Sequence, residues 1–316
     1  MADTGTGGAS GAAQGGGDKA GAPGAGAGDD HGGGGSDAGE AGAETGGIGG
    51  SPAHGGSPAH GGMGGLLGNA GGGTSGGGGA PIEPILPQPG LLLWLRADRG
   101  IQLKDGHVQV WQDQSPNHTD ATQGSVNERP SYLAAGFNGR PTLEFDGQAQ
   151  FLTFLDGFGD FSKGLAGLII ARPFDSECGA LFEFSNGSEV DDVFMGVGNE
   201  KWQYEVQAEN LQEGNVDLER FSLFEINHRM TGTGDLLVNG SVLSSFDIRT
   251  PIVPESGVRV NNFVAHSLYG GVCSYFRGQI SEIILYSRSL SNGDLNTIET
   301  YLDAHWALGE QETPTP

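Results

Sequence analysis

Apolar and polar side chains alternate in short runs from Leu91 onward, and glycine, asparagine, aspartate or proline separates one run from the next. In residues 202–206 the alternation places Trp202 and Tyr204 on one face of a strand and Gln203 and Glu205 on the other. The Asn-Gly pair in residues 238–241 predicts a tight hairpin. About twelve runs qualify as β-strands: LLLWLRA, HVQVWQD, PTLEF, QFLTFL, AGLIIARPF, GALFEF, DVFMGV, WQYEVQ, FSLFEINH, DLLVNGSVL, NNFVAHS and QISEIILYS.

Helical periodicity occurs only near the C-terminus, after a cap at Ser291 or Asn292. One apolar stripe recurs there at helical spacing, formed by Leu295, Ile298, Leu302 and Trp306. The pattern therefore predicts an all-β fold, a sandwich of antiparallel sheets with one C-terminal helix.

Residues 1–80 differ in composition from the rest of the chain. They hold 35 of the 60 glycines, no aromatic residue, and the tandem repeat SPAHGG at residues 51–62. Such a segment cannot bury enough apolar surface to offset the entropy of ordering its backbone. We predict a disordered Gly-rich tether over residues 1–80, a Pro-rich spacer over 81–89, a folded domain over 90–308 and a flexible tail over 309–316.

The formal net charge is −24 at pH 7, with 39 acidic residues against 15 basic ones. A phosphate-binding surface needs clustered basic residues, so nucleic acid and anionic membranes are excluded as expected partners. No apolar run approaches the roughly 20 residues of a membrane span. A glycine-rich tether is typical of the segment after a signal or lipid-anchor site in bacterial envelope proteins. We therefore expect an extracytoplasmic protein, either in the cell envelope or secreted, whose upstream signal is missing from this chain.

The two cysteines, Cys178 and Cys273, lie outside any CxxC spacing, which excludes a structural zinc or iron–sulfur site. A disulfide between them is one possibility if the protein is exported. Otherwise they are buried or free thiols.

Four segments together resemble the LamG-like jelly-roll domains of the concanavalin A-like lectin/glucanase superfamily. The segments are LLLWLRAD, VWQDQSPNHTDATQ, RPSYLAAGFNGRPTLEFDG and FRGQISEIILYSRSLSNGDLNTIETYLDAHWAL. The resemblance covers essentially all of residues 90–308. It implies two antiparallel sheets stacked as a jelly roll, pairing of the first and last strands, and a terminal helix packed beside them.

In that family the W-x-D-x-S…D-A-T element of residues 111–122 is a recurrent piece of the scaffold. The resemblance implies that Trp111 enters the core, while Asp113, Ser115 and Asn117 organise the following turn and His118 is exposed. A catalytic role for these acids is the alternative interpretation. The residues expected to be structural are Trp94, Trp111, Asp113, Asp120, Asp146 and Trp306.

The superfamily includes glycoside hydrolases, whose signature E-x-D-x-E aligns three acids on one face of a strand. The nearest match, EVDDVF at residues 189–194, lacks the third acid. Without it no general acid protonates the leaving sugar oxygen. We interpret Glu189 and Asp191 as solvated turn residues and predict that the domain is not an enzyme.

A sugar site on a sandwich needs an aromatic platform and a few amides or carboxylates. The candidate ligand-binding residues are Trp202, Tyr204, Gln203, Asn199 and Glu205. Because the strand alternates, only Trp202/Tyr204 or Gln203/Glu205 can face the ligand, and core packing is the alternative role of the two aromatic residues.

Calcium is the one cofactor that the resemblance suggests, in a loop near Asp146. Gln148 and Gln150 stand where relatives often have further aspartates, which weakens such a site. The leading hypothesis is a non-catalytic, monomeric module that binds a glycan or a surface protein and is tethered to a bacterial cell envelope. The alternatives are a glycoside-active enzyme with an unfamiliar carboxylate pair and a purely structural surface module.

Overall fold

The computed structural model describes residues 84–311, except for 156, 159, 189, 208, 250, 251, 255, 256 and 269–273. The predicted tether, the first residues of the spacer and the last five residues of the tail lie outside the described residues.

The described part of the chain is all-β, with 17 strands and one C-terminal α-helix. The first eight strands are β1 (Leu91–Arg96), β2 (Ile101–Lys104), β3 (His107–Trp111), β4 (Ala121–Thr122), β5 (Ser131–Phe137), β6 (Arg140–Asp146), β7 (Leu152–Thr153) and β8 (Leu165–Pro173). The next nine are β9 (Cys178–Ser185), β10 (Val193–Gly198), β11 (Lys201–Val206), β12 (Glu209–Asn215), β13 (Ser222–His228), β14 (Thr233–Val238), β15 (Ser241–Asp247), β16 (Asn261–Val264) and β17 (Arg277–Tyr286). The helix is α1 (Asn292–Trp306), and two single-turn 3-10 helices span Val126–Glu128 and Leu308–Glu310.

The strand pairings are antiparallel and connect all 17 strands into one hydrogen-bonded sheet. One series of neighbours runs β1, β17, β8, β13, β14, β15. A second runs β2, β3, β4, β7, β16, β9, β10, β11, β12. The β5–β6 pair links the two, because β6 pairs with β17 and β5 bridges to β3. β1 and β17 pair as expected from the resemblance.

Two hydrophobic clusters explain why β8 and β17 read as continuous apolar runs. Ile283 and Leu285 of β17 lie in the main core, which the strands of both series enclose. Ile284 and Tyr286 alternate with them and lie in a second cluster beneath α1. A strand buried on both faces loses the polar positions that mark a half-buried one.

The predicted helix is confirmed. Its N-cap is Ser291, whose side chain accepts a hydrogen bond from the backbone N–H of Asp294 over 3.1 Å. Its C-cap, Ala307, is left-handed with φ 53° and donates its N–H to the carbonyl of Asp303. The predicted apolar stripe is the buried face of α1, comprising Leu295, Ile298, Leu302 and Trp306.

The predicted Asn-Gly hairpin is also confirmed. Asn239 and Gly240 both have positive φ, 51° and 72°, and they connect β14 to β15. Positive φ at both central residues fits the twist of the flanking strands. The sequence did not predict β2, β4, β5 or β12, and β12 contributes to the site described below.

Candidate functional site

The W-x-D-x-S element connects the loop after β3 to β1 through hydrogen bonds between side chains and backbone, and we call this arrangement the clip. The Asp113 carboxylate accepts hydrogen bonds from the backbone N–H of Trp94, Ser115 and Thr119 over 2.8–2.9 Å. It also accepts one from the Ser115 hydroxyl over 2.6 Å. Asp120 Oδ1 in turn accepts the Asp113 backbone N–H over 3.0 Å. These carboxylates are occupied in closing a turn.

Asn117 extends the clip by donating from Nδ2 to the carbonyls of Leu91 and Leu92, over 3.1 and 2.8 Å. Trp111 is fully buried in the main core. His118 is exposed and has φ 53°. The element therefore holds β1 to the loop after β3.

Asp146 closes the turn after β6. Its Oδ1 accepts hydrogen bonds from the backbone N–H of Gln148, Ala149 and Gln150 over 2.8–3.2 Å. Partial burial raises the pKa of Asp146, but these backbone donors lower it more, so the net shift is downward. Among the described residues, no group of three or more His, Cys, Asp or Glu side chains could hold a metal ion.

Trp94 and Trp306 converge on a buried carboxylate, Glu282 of β17. The two indole N–H groups donate to Glu282 over 2.6 and 2.5 Å. The Tyr301 hydroxyl of α1 donates to the same carboxylate over 2.9 Å. Burial raises the pKa of Glu282, and the two indoles, the Arg96 charge and the Tyr301 hydroxyl oppose that shift only in part. The sequence analysis did not identify Glu282. The one feature that could have indicated it is an acidic residue within the largely apolar run of β17.

Of the two roles left open for Trp202 and Tyr204, the structure shows core packing and not a ligand platform, because both are fully buried in the main core. The Trp202 ring stacks on Phe224 with centroids 4.7 Å apart. The Tyr204 hydroxyl lies 2.8 Å from His228 Nδ1. Alternation along β11 therefore directs Gln203 and Glu205 to the opposite face.

That opposite face carries a cleft of about 190 Å³, whose walls include Asn199, Gln203 and Glu205. Of the five predicted ligand-binding residues, the structure brings these three together. The cleft's further lining residues are Glu177, Cys178, Phe194, Val197, Gly198, Asn210 and Gln212.

Side-chain amides cross the cleft in one hydrogen-bonded series, which we call the amide relay. Asn199 Nδ2 donates to Gln212 Oε1 over 2.9 Å, and Gln212 Nε2 donates to Gln203 Oε1 over 3.3 Å. Gln203 Nε2 and Asn210 Nδ2 both donate to Glu205 Oε2, over 3.0 and 2.8 Å. Each bond fixes the orientation of the next amide, so the relay presents a defined set of donors and acceptors.

Strand register produces the relay. Gln203 of β11 pairs with Gln212 of β12, and Glu205 pairs with Asn210. Directly paired residues share a face of the sheet, which brings their side chains into contact. β12 is therefore essential to the site, and its polar sequence, ENLQEGN, gave no strand signal.

Two glycines of β10 allow close approaches, and one of them, Gly198, leaves room for the amides. A Cβ at Gly198 would collide with Gln203 Oε1 and would lie 2.9 Å from Gln212 Nε2. A Cβ at Gly196 would collide with the backbone carbonyl of Gly179. Glycine at 198 thus creates the space that the relay occupies.

The hydrolase-like segment is only partly described, because Glu189 lies outside the described residues. Asp191 is in a turn with φ 54°, and its Oδ2 accepts a hydrogen bond from Asn186 Nδ2 over 2.8 Å. The expectation that Asp191 is solvated is wrong, since its exposed fraction is 7%. It is a turn residue whose carboxylate is buried against Asn186.

Cys178 is disulfide-bonded. The sequence contains one other cysteine, Cys273, which lies outside the described residues, so their pairing stays a prediction. Cys178 stands at the start of β9, on the wall of the cleft.

No protein-family model and no curated protein matches the sequence. A solved arabinanase domain shares the all-β fold. Domain 4 of AbnA, a GH43 extracellular arabinanase from Geobacillus stearothermophilus solved with arabinotriose, is 12% identical with a TM-score of 0.50, covering 67% of this chain and 99% of that domain.

Two further similarities are weaker. A Trypanosoma rangeli sialidase in complex with the inhibitor DANA is 15% identical, with a TM-score of 0.45, over 68% of this chain and 33% of the sialidase. The CBM40 of a Ruminococcus gnavus IT-sialidase, bound to α2,3 sialyllactose, is 16% identical, with a TM-score of 0.37, over 47% of this chain and 95% of that module. This chain spans about a third of the sialidase's length. The similarity to the arabinanase domain shows the all-β fold alone.

Within the described residues, no helix is long and apolar enough to cross a membrane.

Proposed function

We propose that the protein is a non-catalytic binding module and that the cleft over the amide relay binds a carbohydrate. The observation that carries the proposal is the relay itself, in which five polar side chains are held in one hydrogen-bonded arrangement on a sheet face. Amides that serve only solubility can hydrogen-bond to water and do not require fixed partners on the protein.

The chemistry of the cleft suits sugar hydroxyls. Amides offer both donors and acceptors, and the Glu205 carboxylate is a strong acceptor. Phe194 lines the same cleft and supplies apolar surface for the C–H face of a ring. A volume of about 190 Å³ is below the ~300–1,000 Å³ of pockets for drug-sized ligands. The cleft therefore fits a small polar ring.

The arrangement of Glu205 supports a non-catalytic role. Its Oε2 accepts two amide hydrogen bonds, so this carboxylate is engaged within the relay. Glu177, the other acid of the cleft, is exposed to solvent. The two acids therefore occupy unlike environments, one buried in the relay and one exposed.

We further infer a LamG-like jelly-roll sandwich that works outside the cytoplasm as a monomer, tethered to a cell envelope through residues 1–80. The pairing of β1 with β17 supports the jelly roll. The disulfide at Cys178 supports an oxidising compartment. A surface protein is the alternative partner to a glycan.

The test is retention of residues 84–316 and of the full chain on insoluble β-glucan, galactan, arabinan and chitin, with reducing ends measured in parallel. Gln203→Ala removes two relay hydrogen bonds, each worth about 1 kcal/mol, and should weaken retention roughly tenfold or more. Gln102→Ala is the matched control, because Gln102 is an exposed glutamine of β2.

Retention of wild type and of the Gln102→Ala protein, lost in Gln203→Ala and accompanied by no new reducing ends, is the expected result. Hydrolysis by wild type would show that the module is an enzyme. Retention that is equal in both variants would place the glycan site elsewhere, and absence of retention on every polymer would favour a protein partner.

A further inference from the structure

The amide cleft does not end at its own walls. A second cleft of about 530 Å³ adjoins it and is lined by Glu177, Cys178, Asn199 and Glu200. A third, of about 480 Å³, continues from Glu177, Cys178 and Glu200 to Tyr275. Glu177 and Cys178 line all three clefts, so the clefts adjoin one another at these residues, and we call the three together the groove.

The groove is longer than the amide cleft alone. Gln203 is on β11 and Cys178 is on β9, with β10 paired between them. Two interstrand spacings separate these residues, which is about 10 Å. Tyr275 lines the third cleft together with Cys178, so a ligand that contacts both Gln203 and Tyr275 must be longer than one sugar unit.

The far end of the groove offers a fixed aromatic surface. The Tyr275 ring is partly exposed and stacks on His266 with centroids 4.6 Å apart and planes inclined by 23°. Phe151 packs within 6.1 Å of the same ring. A ring held from behind is preorganised to stack on the apolar face of a sugar. Phe174 lines this end as well.

The groove is acidic along its length. Its lining includes Asp175, Glu177, Glu200 and Glu205, and among the described residues no lysine, arginine or histidine lines it. Burial is the main cause that raises the pKa of Asp175, and the exposed Arg277 nearby opposes the shift only in part. A ligand carrying carboxylate or sulfate groups meets four acids along these walls, against the nearby Arg277.

We propose that the groove from the amide relay to Tyr275 binds an extended, uncharged glycan chain and rejects anionic glycans. This rests on the proposed function and adds to it the length and the charge class of the ligand. The amides read the hydroxyls of one unit, Tyr275 stacks on a unit farther along, and the acids between them select against negative charge.

Calorimetry on the full chain tests the ligand's length. The probes are β-glucan, galactan, arabinan and chitin oligomers of one to six units, titrated into wild type and two variants. For wild type, affinity should rise at least tenfold between two and five units. Tyr275→Ala should bind two-unit oligomers like wild type but lose most of that gain, whereas Gln203→Ala should weaken oligomers of every length.

The charge rule is tested with sialylated, uronic acid and sulfated oligomers of matching length. Wild type should bind them at least tenfold more weakly than the uncharged ones. Glu200→Lys, at an exposed position in the groove, should reduce that discrimination. Glu310→Lys makes the same charge change at an exposed position outside the groove and should leave it intact.

Equal affinity for one and six units, or stronger binding of the anionic oligomers, would overturn this inference while leaving carbohydrate binding in place. Binding of no oligomer by wild type would overturn the proposed function as well. If Tyr275→Ala fails to fold, circular dichroism will show it, and the length series on wild type with the Glu200→Lys comparison still decides the matter.

Discussion

Two carboxyl groups meet between the sheet and the helix, and their pairing predicts how stability depends on pH. Glu225 of β13 is fully buried beneath α1. Its Oε1 accepts the backbone N–H of Gly240 over 2.9 Å, while Oε2 is buried without a hydrogen-bond donor among the described residues. Glu299 of α1 lies within hydrogen-bonding reach. A proton shared by the two carboxyls satisfies Oε2 and removes the repulsion.

The sign of the effect follows from the direction of the shift. Burial raises the pKa of Glu225 to about 8, the Gly240 N–H opposes the rise, and Glu299 adds to it. In the unfolded chain the same group titrates near 4.5. The folded protein therefore holds an extra proton between pH 4.5 and about 8. This contribution to stability is complete below pH 4.5 and is lost as pH rises through 8, by up to about 5 kcal/mol.

Glu225→Gln isolates the effect. The amide oxygen can still accept from Gly240, and the amide nitrogen can donate to the Glu299 carboxylate without a shared proton. Urea unfolding of both proteins at pH 5 and pH 8.5 should show the variant gaining stability relative to wild type by at least about 2 kcal/mol at the higher pH. Asp303, which lines the same cavity as Glu299, and other titrating groups are common to both proteins and cancel in the comparison.

A stability difference between Glu225→Gln and wild type that stays constant within about 0.5 kcal/mol across this range would refute the shared proton. Glu310→Gln changes an exposed acid near the same helix and should leave the pH dependence of wild type unchanged.

Three further predictions follow from the packing around the sheet. Trp306→Ala should cost roughly 3–5 kcal/mol in urea melts, because the indole is fully buried, and a loss below about 1 kcal/mol would mean that α1 contributes little. Gly198→Ala should displace the relay amides and weaken glycan retention, with a stability change below about 1 kcal/mol, whereas Gly124→Ala, where an added Cβ meets nothing within 4 Å, should change neither. Peptide mapping without reductant should recover Cys178 linked to Cys273, and reduction should lower the unfolding free energy by roughly 2–5 kcal/mol; recovery of Cys178 in a dimer-linking bond would contradict the pairing.

The sequence was sufficient to predict the all-β class and the helix because each has a periodic signal. The helix carries four apolar residues at helical spacing and a capping serine, and both features occur in the structure. Strands such as β11 alternate visibly. The number of strands was underestimated, since β12 is polar and partly exposed along its length and has no apolar period to read.

The face that β11 buries could not be read from its own residues. Alternation separates Trp202 and Tyr204 from Gln203 and Glu205, but it does not say which pair enters the core. The answer depends on Phe224 and His228, which pack on the aromatic pair from β13. Aromatic residues were expected to serve either as platform or as core, and packing from a distant strand decided for the core.

The roles of acidic residues also could not be predicted from the sequence alone. Asp113, Glu205 and Glu225 all carry a carboxyl group, and their roles differ because their hydrogen-bond partners differ. Asp113 accepts from three backbone N–H groups and one hydroxyl, so it is committed to a turn. Glu225 lies against a second carboxyl beneath the helix.

Glu205 differs from both because its Oε2 accepts hydrogen bonds from two side-chain amides. Gln203 lies on β11 with Glu205, and Asn210 is the residue of β12 that pairs with Glu205. Both donors line an open cleft. Side-chain amides can exchange these hydrogen bonds for bonds to a ligand, whereas a backbone N–H in a closed turn cannot do so without unfolding the turn. A carboxylate held by amides in a cleft is therefore suited to recognition, which is why the binding tests begin at Gln203.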